Sequence, residues 1–164
     1  MVESTMTKTA QYLTFRLREE EFGIDVECIN GILELTPITR IPKTPDYVIG
    51  VINVRGRVVP VIDMRLKFGM PITEQTVDTC IIVMGITLGS EDVVLSGLVD
   101  EVQEVVELSA EQIEPTPKIG NKINTDFLEG MGKRNAEKFI MILDIEKVFS
   151  TDELTLIKET SDKN

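Results

Sequence analysis

The pattern of hydrophobic and polar residues along this chain predicts mainly β-strands. Residues 12–18 alternate, which places Leu13, Phe15 and Leu17 on one face of a strand. Residues 78–86 form an apolar run without alternation, as is typical of a strand buried on both faces. Such runs predict about ten short strands, and their spacing favours barrels or a sandwich over βαβ units. Ten strands in a chain of this length can form either one ten-stranded barrel or two five-stranded barrels, and the pattern favours neither.

The clearest local pattern is a β-hairpin. Two β-branched runs, at 50–54 and 57–63, flank an Arg-Gly pair at 55–56, where glycine allows the special backbone angle of a tight turn. Pro60 indicates one of two arrangements. Either the second strand lies at a sheet edge, or its missing N–H group points away from the ladder.

Short helices and one irregular segment interrupt the strands. Asp25 and Asp63 each precede a predicted helical turn that their side chains can cap. Three prolines make residues 36–45 an irregular edge strand or loop, and the acidic run 19–21 is expected to form a solvated turn. The remaining predicted elements are a second hairpin, 127–131 with 139–143, and helices at 144–149 and 152–158.

Composition and charge exclude several classes of function. The chain has 17 Lys and Arg against 28 Asp and Glu, a net charge of −11, so neither nucleic acid nor an anionic membrane surface is an expected partner. The absence of histidine removes histidine-based nucleophiles, histidine-ligated metals and a histidine phosphoacceptor. We interpret Cys28 and Cys80 as buried reduced thiols and the carboxylates around Asp100-Glu101 as a solvated face. No enzyme activity or cofactor is expected.

The chain shows no sign of membrane insertion. Its N-terminus lacks the apolar core of a signal peptide. Its apolar runs fall far short of the ~20 residues that span a bilayer. We therefore expect a cytoplasmic protein.

Arg55 is a candidate functional residue. A cation at the tip of an apolar hairpin, beside a glycine, is displayed to solvent rather than buried. It can pair with a carboxylate of a partner or of this chain. The alternative is an ordinary surface arginine.

Several blocks of this sequence together resemble the family of bacterial chemotaxis coupling proteins, CheW. The most specific block, residues 50–65, contains Gly50-Val51-Ile52-Asn53-Val54-Arg55-Gly56 and Val59-Pro60-Val61-Ile62-Asp63-Met64-Arg65. The other blocks, in the family's order, are residues 22–26, 38–45, 97–102 and 142–147. The resemblance implies a CheW-like domain at residues 11–155. A flexible N-terminus at 1–10 is expected before it, and a C-terminal tail at 156–164 after it.

This resemblance implies both a fold and a function. The fold is all-β, with two packed SH3-like five-stranded β-barrel subdomains and short helices. The function is that of a non-enzymatic adaptor, which couples the helical cytoplasmic tips of chemoreceptors to the regulatory domain of the histidine kinase CheA. Such an adaptor lies at receptor arrays beneath the inner membrane. The alternative is a paralogous adaptor of the same fold that serves another sensory system or receptor class.

The resemblance also implies two binding surfaces. The residues assigned by position to an apolar receptor-binding groove are Val26, Ile29, Leu98 and Val99, with Arg55 near the edge. The residues assigned to the kinase-binding surface are Ile32, Leu35, Ile38 and Ile41, each of which can equally belong to the core. Many family members have a glutamate at the position of Gly31. If that glutamate pairs with the arginine, Arg55 lacks this partner here, and Glu27 and Glu34 are the alternatives.

Overall fold

Two β-sheets make up most of the chain in a computed structural model, which describes residues 9–71, 74–115, 125–133 and 138–162. The strands are β1 Thr9–Leu17, β2 Glu20–Asp25, β3 Ile29–Glu34, β4 Val48–Val54, β5 Arg57–Asp63, β6 Cys80–Leu88, β7 Glu91–Val99, β8 Glu101–Ser109, β9 Ile113–Glu114, β10 Leu128–Lys133 and β11 Phe139–Leu143. The helices are α1 Met64–Lys67, α2 Ile145–Val148 and α3 Thr151–Asp162, with single 3-10 turns at Val26–Cys28, Ala110–Gln112 and Thr125–Phe127.

The two sheets combine strands that are distant in the sequence. One sheet has the order β8-β1-β2-β11-β10-β9, and the other has the order β3-β6-β7-β5-β4. Most neighbouring strands pair antiparallel, whereas β11–β2 and β5–β7 pair parallel. The expected all-β class is confirmed. The first sheet has one strand more than expected because the two-residue strand β9 pairs with β10.

The core consists of three clusters of buried apolar side chains, because several strands bury apolar residues on both faces. Strand β6 directs Ile82 and Met84 into a large cluster that both sheets share, and Ile81 into a second cluster on the opposite face. A third cluster, which includes Ile140 and Ile142, lies within the six-stranded subdomain. The apolar run at 78–86 is therefore a doubly buried strand, as predicted.

The predicted hairpin and helix caps are confirmed. Strands β4 and β5 pair from Val48–Ile62 to Val54–Arg57. The carboxylate of Asp63 accepts hydrogen bonds from the N–H groups of Arg65 and Leu66, and that of Asp25 accepts one from Glu27 N at 2.9 Å. The caps form because the first N–H groups of a helix have no partner within it.

Two turn and strand assignments differ from the prediction. Strand β2 begins at Glu20, so the turn comprises residues 18 and 19 rather than the acidic run 19–21. Strand β5 lies inside its sheet, between β4 and β7, so the edge alternative for Pro60 is wrong. The pairing of β5 with β7 begins one residue after Pro60, at Val61. The N–H group that proline lacks is therefore not needed for a hydrogen bond between these two strands.

The domain boundaries also shift at both termini. Strand β1 begins at Thr9, inside the segment 1–10 that we expected to be flexible; residues 1–8 lie outside the described part of the chain. Helix α3 continues to Asp162, and Leu154 and Ile157 are buried in the shared core. Much of the expected tail at 156–164 is therefore part of the folded domain.

A charged and aromatic cluster holds α3 on the domain. Glu153 accepts hydrogen bonds from Lys67 Nζ at 2.8 Å and from the Tyr47 hydroxyl at 2.6 Å. Lys67 Nζ also lies 4.9 Å from the ring centroid of Tyr47 and 5.3 Å from those of Phe127 and Phe149. A lysine above aromatic rings is stabilised by their negative faces, so α3, α1 and the loop before β4 are joined.

The Glu153 cluster predicts a pH-dependent contribution to stability. Burial by itself would raise the pKa of Glu153, but hydrogen bonds from Lys67, Ser150 and Tyr47, together with the charge of Lys67, lower it from 4.5 to about 2. A carboxyl whose pKa is lower in the folded state stabilises the fold above its unfolded pKa and loses this contribution as the pH falls. We expect Glu153→Gln to cost about 1–3 kcal/mol at pH 7, and the deficit to disappear between pH ~4.5 and ~2.

Urea unfolding of both proteins at several pH values measures this difference. Glu19→Gln, in the exposed turn between β1 and β2, is the matched control and should leave stability unchanged at every pH. A Glu153→Gln deficit that stays constant from pH 7 to pH 2 would contradict the prediction.

Candidate functional site

Arg55 lies at the tip of the β4–β5 hairpin. The two turn residues, Arg55 and Gly56, have φ angles of 53° and 81°, and two-residue hairpin turns of type I′ require positive φ at both positions. Gly56 N donates a hydrogen bond to Asn53 Oδ1 at 2.9 Å, which supports the turn. The Arg55 side chain is exposed, as the sequence predicted.

A cleft of about 410 Å³ lies beside this tip, in the five-stranded subdomain. We call it the arginine cleft. Its charged residues are Arg55 and Arg57. Its apolar lining consists of Leu33, Val54, Val59, Val83 and Val94, and the rest consists of Asn30, Gly31, Thr36 and Asn53. The cleft therefore joins a cationic rim to an apolar floor.

Among the residues that the structure describes, none of those that line the arginine cleft carries a carboxylate. Glu27 and Glu34, the two alternatives for pairing with Arg55, do not line it. Within the described ranges, neither Arg55 nor Arg57 forms an ion pair with any residue. Gly31 lines the cleft, and a Cβ atom added there would meet nothing within 4 Å. Both arginines are therefore available to form an ion pair with a carboxylate of another molecule.

A second, larger cleft of about 600 Å³ adjoins the first, since Thr36 lines both. We call it the proline-loop cleft, because the loop 36–45 forms one wall. Its lining comprises Leu35, Thr36, Pro37, Ile38, Arg40, Ile49, Asp63, Arg65, Leu66, Gln75 and Leu98. Thr39 in this loop pairs with Val51 of β4, through N···O distances of 2.9 and 2.8 Å, and this pairing holds the loop against the sheet.

The structure brings together only part of the predicted receptor groove. Val26 and Ile29 are half-buried and pack on the edge of the shared core. Leu98 and Val99 are each 1% exposed, and they point to opposite faces of β7 because successive residues of a strand alternate. Leu98 belongs to the second cluster and Val99 to the shared core. Val99 therefore supports the fold and forms no accessible wall. Leu98 lines the proline-loop cleft, on the face opposite to Val99, so the two residues do not form one groove wall, which corrects the assignment.

The predicted kinase-binding residues do not form one flat face either. Ile32 is 48% exposed on β3, an edge strand of its sheet. Leu35 and Ile38 are half-buried against the second cluster, and both line the proline-loop cleft. Ile41 is half-buried in the loop that follows. The set therefore combines one exposed residue on β3, two residues that line the proline-loop cleft and one half-buried residue of the loop.

A buried ion network at the base of the proline-loop cleft was missed by the sequence reasoning. The Arg65 side chain is 2% exposed. It donates hydrogen bonds to Asp63 from Nε at 3.1 Å and Nη2 at 3.0 Å, and to Asp100 from Nη1 at 2.9 Å. Burial would lower the pKa of Arg65, but hydrogen bonds and charges from Asp63 and Asp100 outweigh burial and raise it.

This network corrects the interpretation of Asp100 as part of a solvated face. Asp100 accepts a hydrogen bond from Arg18 N, and its own N–H group donates to Arg16 O at 3.0 Å. It follows the last residue of β7, in the five-stranded sheet, and precedes β8, in the six-stranded sheet. The network therefore lies where the chain passes between the subdomains. A signal was present in the sequence: Asp63 and Asp100 each directly follow an apolar run, 58–62 and 97–99, and Arg65 lies two residues after Asp63.

The cysteines and helices add no reactive or membrane-spanning feature to the described residues. Cys28 and Cys80 are free and half-buried rather than fully buried, and burial raises the pKa of both thiols. A raised pKa disfavours the thiolate, which is the reactive form. None of the described helices is long and apolar enough to span a bilayer.

Comparison with known proteins agrees with this geometry. Residues 11–153 match the CheW-like domain. The chain is 37% identical over 147 residues to the chemotaxis protein CheW of Klebsiella aerogenes, covering 90% of this chain and 86% of that protein. It is 33% identical over 156 residues to the chemotaxis protein CheW of Rhizobium meliloti, covering 90% and 97%.

A solved structure shows the same fold. The crystal structure of the scaffolding protein TtCheW from Thermoanaerobacter tengcongensis matches with a TM-score of 0.77 and 32% identity, over 89% of this chain and 91% of that chain. The expected architecture of two SH3-like subdomains is thereby confirmed. The sequence match, the two-sheet fold and the solved relative agree that this chain belongs to the CheW family of non-enzymatic chemotaxis adaptor proteins.

Proposed function

We propose that this adaptor couples the helical cytoplasmic tips of chemoreceptors to the regulatory domain of the histidine kinase CheA, in the cytoplasm at receptor arrays beneath the inner membrane. The observation that supports the proposal is the presence of two distinct clefts beside the five-stranded sheet, in a chain whose relatives are chemotaxis proteins. An adaptor of this kind performs no chemistry, and it acts by holding two partners in a defined geometry. A paralogous role in another sensory system is not favoured by these relatives.

The receptor-binding surface in this proposal comprises Val26, Ile29 and Arg55. Val26 and Ile29 are half-buried apolar residues at the edge of the core shared by the two subdomains. Asn30, the next residue after Ile29, lines the arginine cleft that contains Arg55. An apolar strip that leads to a cationic rim suits an amphipathic helix, whose apolar face packs in a groove while its polar edge contacts charges.

The kinase-binding surface in this proposal comprises Ile32, Leu35, Ile38 and Ile41. Ile32 is a large apolar side chain exposed on an edge strand, and an exposed edge offers backbone groups that another β-domain can pair with. Leu35 and Ile38 present apolar walls in the neighbouring proline-loop cleft. A second β-domain that packs on β3 would cover these residues together.

Two variants should separate the two binding activities. Arg55→Glu reverses the charge at an exposed tip, so receptor affinity is expected to fall at least tenfold while CheA binding stays within twofold. Ile32→Ser removes an exposed apolar contact, so CheA affinity is expected to fall about tenfold while receptor binding is unchanged. Isothermal titration against the CheA regulatory domain and a receptor cytoplasmic fragment, separately and in a ternary mixture, measures both.

The control for the Arg55 variant is Lys133→Glu, an identical charge reversal at an exposed position of β10 in the other subdomain. It should change neither affinity by more than twofold. Failure of the wild-type protein to bind either partner would contradict the proposed function. Loss of both activities in either variant would contradict the assignment of separate surfaces.

A further inference from the structure

The charge of the arginine cleft is opposite to that of the chain. The protein has a net charge of −11, yet the charged residues that line this cleft are Arg55 and Arg57. Neither has an ion-pair partner among the residues that the structure describes. Charged side chains at a recognition site gain most from a partner of the opposite sign. The cleft is therefore complementary to an acidic group.

The size and floor of the cleft define the occupant further. A volume of about 410 Å³ accommodates a few side chains and lies within the range of ~300–1,000 Å³ of ligand sites. Leu33, Val59, Val83 and Val94 form an apolar floor. An occupant with a carboxylate and an adjoining aliphatic stem, as in a glutamate side chain, would satisfy both the rim and the floor.

Gly31 keeps this cleft open. A Cβ atom at position 31 would have no neighbour within 4 Å, and the backbone there is not in the left-handed region. Gly31 lies two residues before Leu33 on β3, so a side chain at 31 would point to the same face as Leu33, which is the face of the cleft. Any side chain at this position would enter space that a ligand group can otherwise occupy.

We propose that the arginine cleft binds a glutamate or aspartate side chain of the receptor tip, and that Gly31 leaves the space for it. This inference rests on the proposed function, and it adds the chemistry of the contact. Because no described residue supplies a carboxylate inside the cleft, the partner's carboxylate forms the ion pair with Arg55 and Arg57. Recognition thereby depends on an acidic residue of the receptor, and its affinity depends on ionic strength.

An internal carboxylate tests this directly. Gly31→Glu places a competing carboxylate on the cleft face, whereas Gly31→Gln is the matched control of nearly the same size without the charge. We expect Gly31→Gln, which only fills the space, to lower the affinity for a receptor cytoplasmic fragment by about threefold to tenfold. Gly31→Glu adds the competing charge and should lower the affinity at least tenfold more than Gly31→Gln at low salt. Both variants should melt as the wild type does, because the added side chain meets open space.

Two further measurements make the test specific. The wild-type dissociation constant should rise with salt, and this dependence should be weaker in Gly31→Glu. In an Arg55→Gln/Arg57→Gln background, adding Gly31→Glu should lower receptor affinity no more than adding Gly31→Gln does, because the cationic rim is already gone.

The outcomes separate this inference from the function on which it rests. Equal receptor binding by Gly31→Glu and Gly31→Gln, with normal binding by the wild type, would overturn the cleft inference and leave receptor coupling intact. Equal, strong losses in both variants would show that the space at position 31 matters but not the charge, and would overturn the carboxylate as ligand. No binding of the fragment by the wild type would overturn both.

Discussion

Replacing Arg65 with alanine is expected to destabilise the fold by about 3–5 kcal/mol. Arg65 is 2% exposed and donates hydrogen bonds to both Asp63 and Asp100. Its removal leaves the carboxylate of Asp63, itself 3% exposed, buried without its cation. An uncompensated buried charge costs far more than the loss of an exposed ion pair, because water cannot solvate it.

The matched comparison is Arg16→Ala, which removes another arginine–carboxylate pair. Arg16 Nε lies 2.8 Å from Glu101 Oε1, but these side chains are 39% and 33% exposed. Water and salt screen such a pair, so the expected cost is below about 1 kcal/mol. Urea unfolding of the two variants measures both values, and equal costs would contradict the buried-network explanation.

Gly50→Ala is expected to cost about 2–6 kcal/mol, and the origin is steric rather than electrostatic. Gly50 has a φ of 153°, and such strained backbone costs a side-chain-bearing residue ~1–3 kcal/mol. A Cβ atom there would lie 2.2 Å from the carbonyl oxygen of Thr39, and relief of such overpacking costs a further ~1–3 kcal/mol. The two hydrogen bonds between Thr39 and Val51 lie at the same point, so loop 36–45 would be displaced from β4.

Gly56→Ala is the control for this prediction. Gly56 also has a positive φ, 81°, but a Cβ atom there would meet nothing within 4 Å. Gly56→Ala therefore creates no steric clash, and only the cost of a positive φ in a residue with a side chain remains. We expect it to lower the free energy of unfolding by about 1 kcal/mol. Thermal melts and urea unfolding distinguish the two variants. A Gly50→Ala protein as stable as Gly56→Ala would show that the loop moves away at little cost.

Together, the predictions for Arg65 and Gly50 concern the geometry that an adaptor needs. The Arg65 network joins α1 to the crossing between the subdomains at Asp100, and Gly50 allows the loop 36–45 to pack on β4. Neither residue needs to contact a partner to affect coupling. Variants at these positions should therefore reduce binding through loss of folded protein, whereas Arg55→Glu should reduce binding with the fold intact.

Local elements of this protein could be predicted because their causes are local. Alternation in 12–18 and the continuous apolar run at 78–86 identified β1 and β6, and the Arg-Gly pair at 55–56 identified its turn, since only positive φ closes a two-residue hairpin. The same locality explains the two correct caps at Asp25 and Asp63. The exposure of Arg55 also follows from its place at a turn.

Sequence alone determined most of the strands, the β4–β5 turn, the exposure of Arg55 and, through several blocks in order, the family. Only the tertiary structure decided which apolar residues are accessible. The family resemblance assigns Leu98 and Val99 to one groove wall, but they point to opposite faces of β7 and both side chains are buried. It likewise decided that Arg65 meets Asp100, 35 residues away, and that Arg55 meets no carboxylate within the described residues. Burial and ion pairing depend on which distant strands pack together, and hydrophobic periodicity carries no information about that pairing.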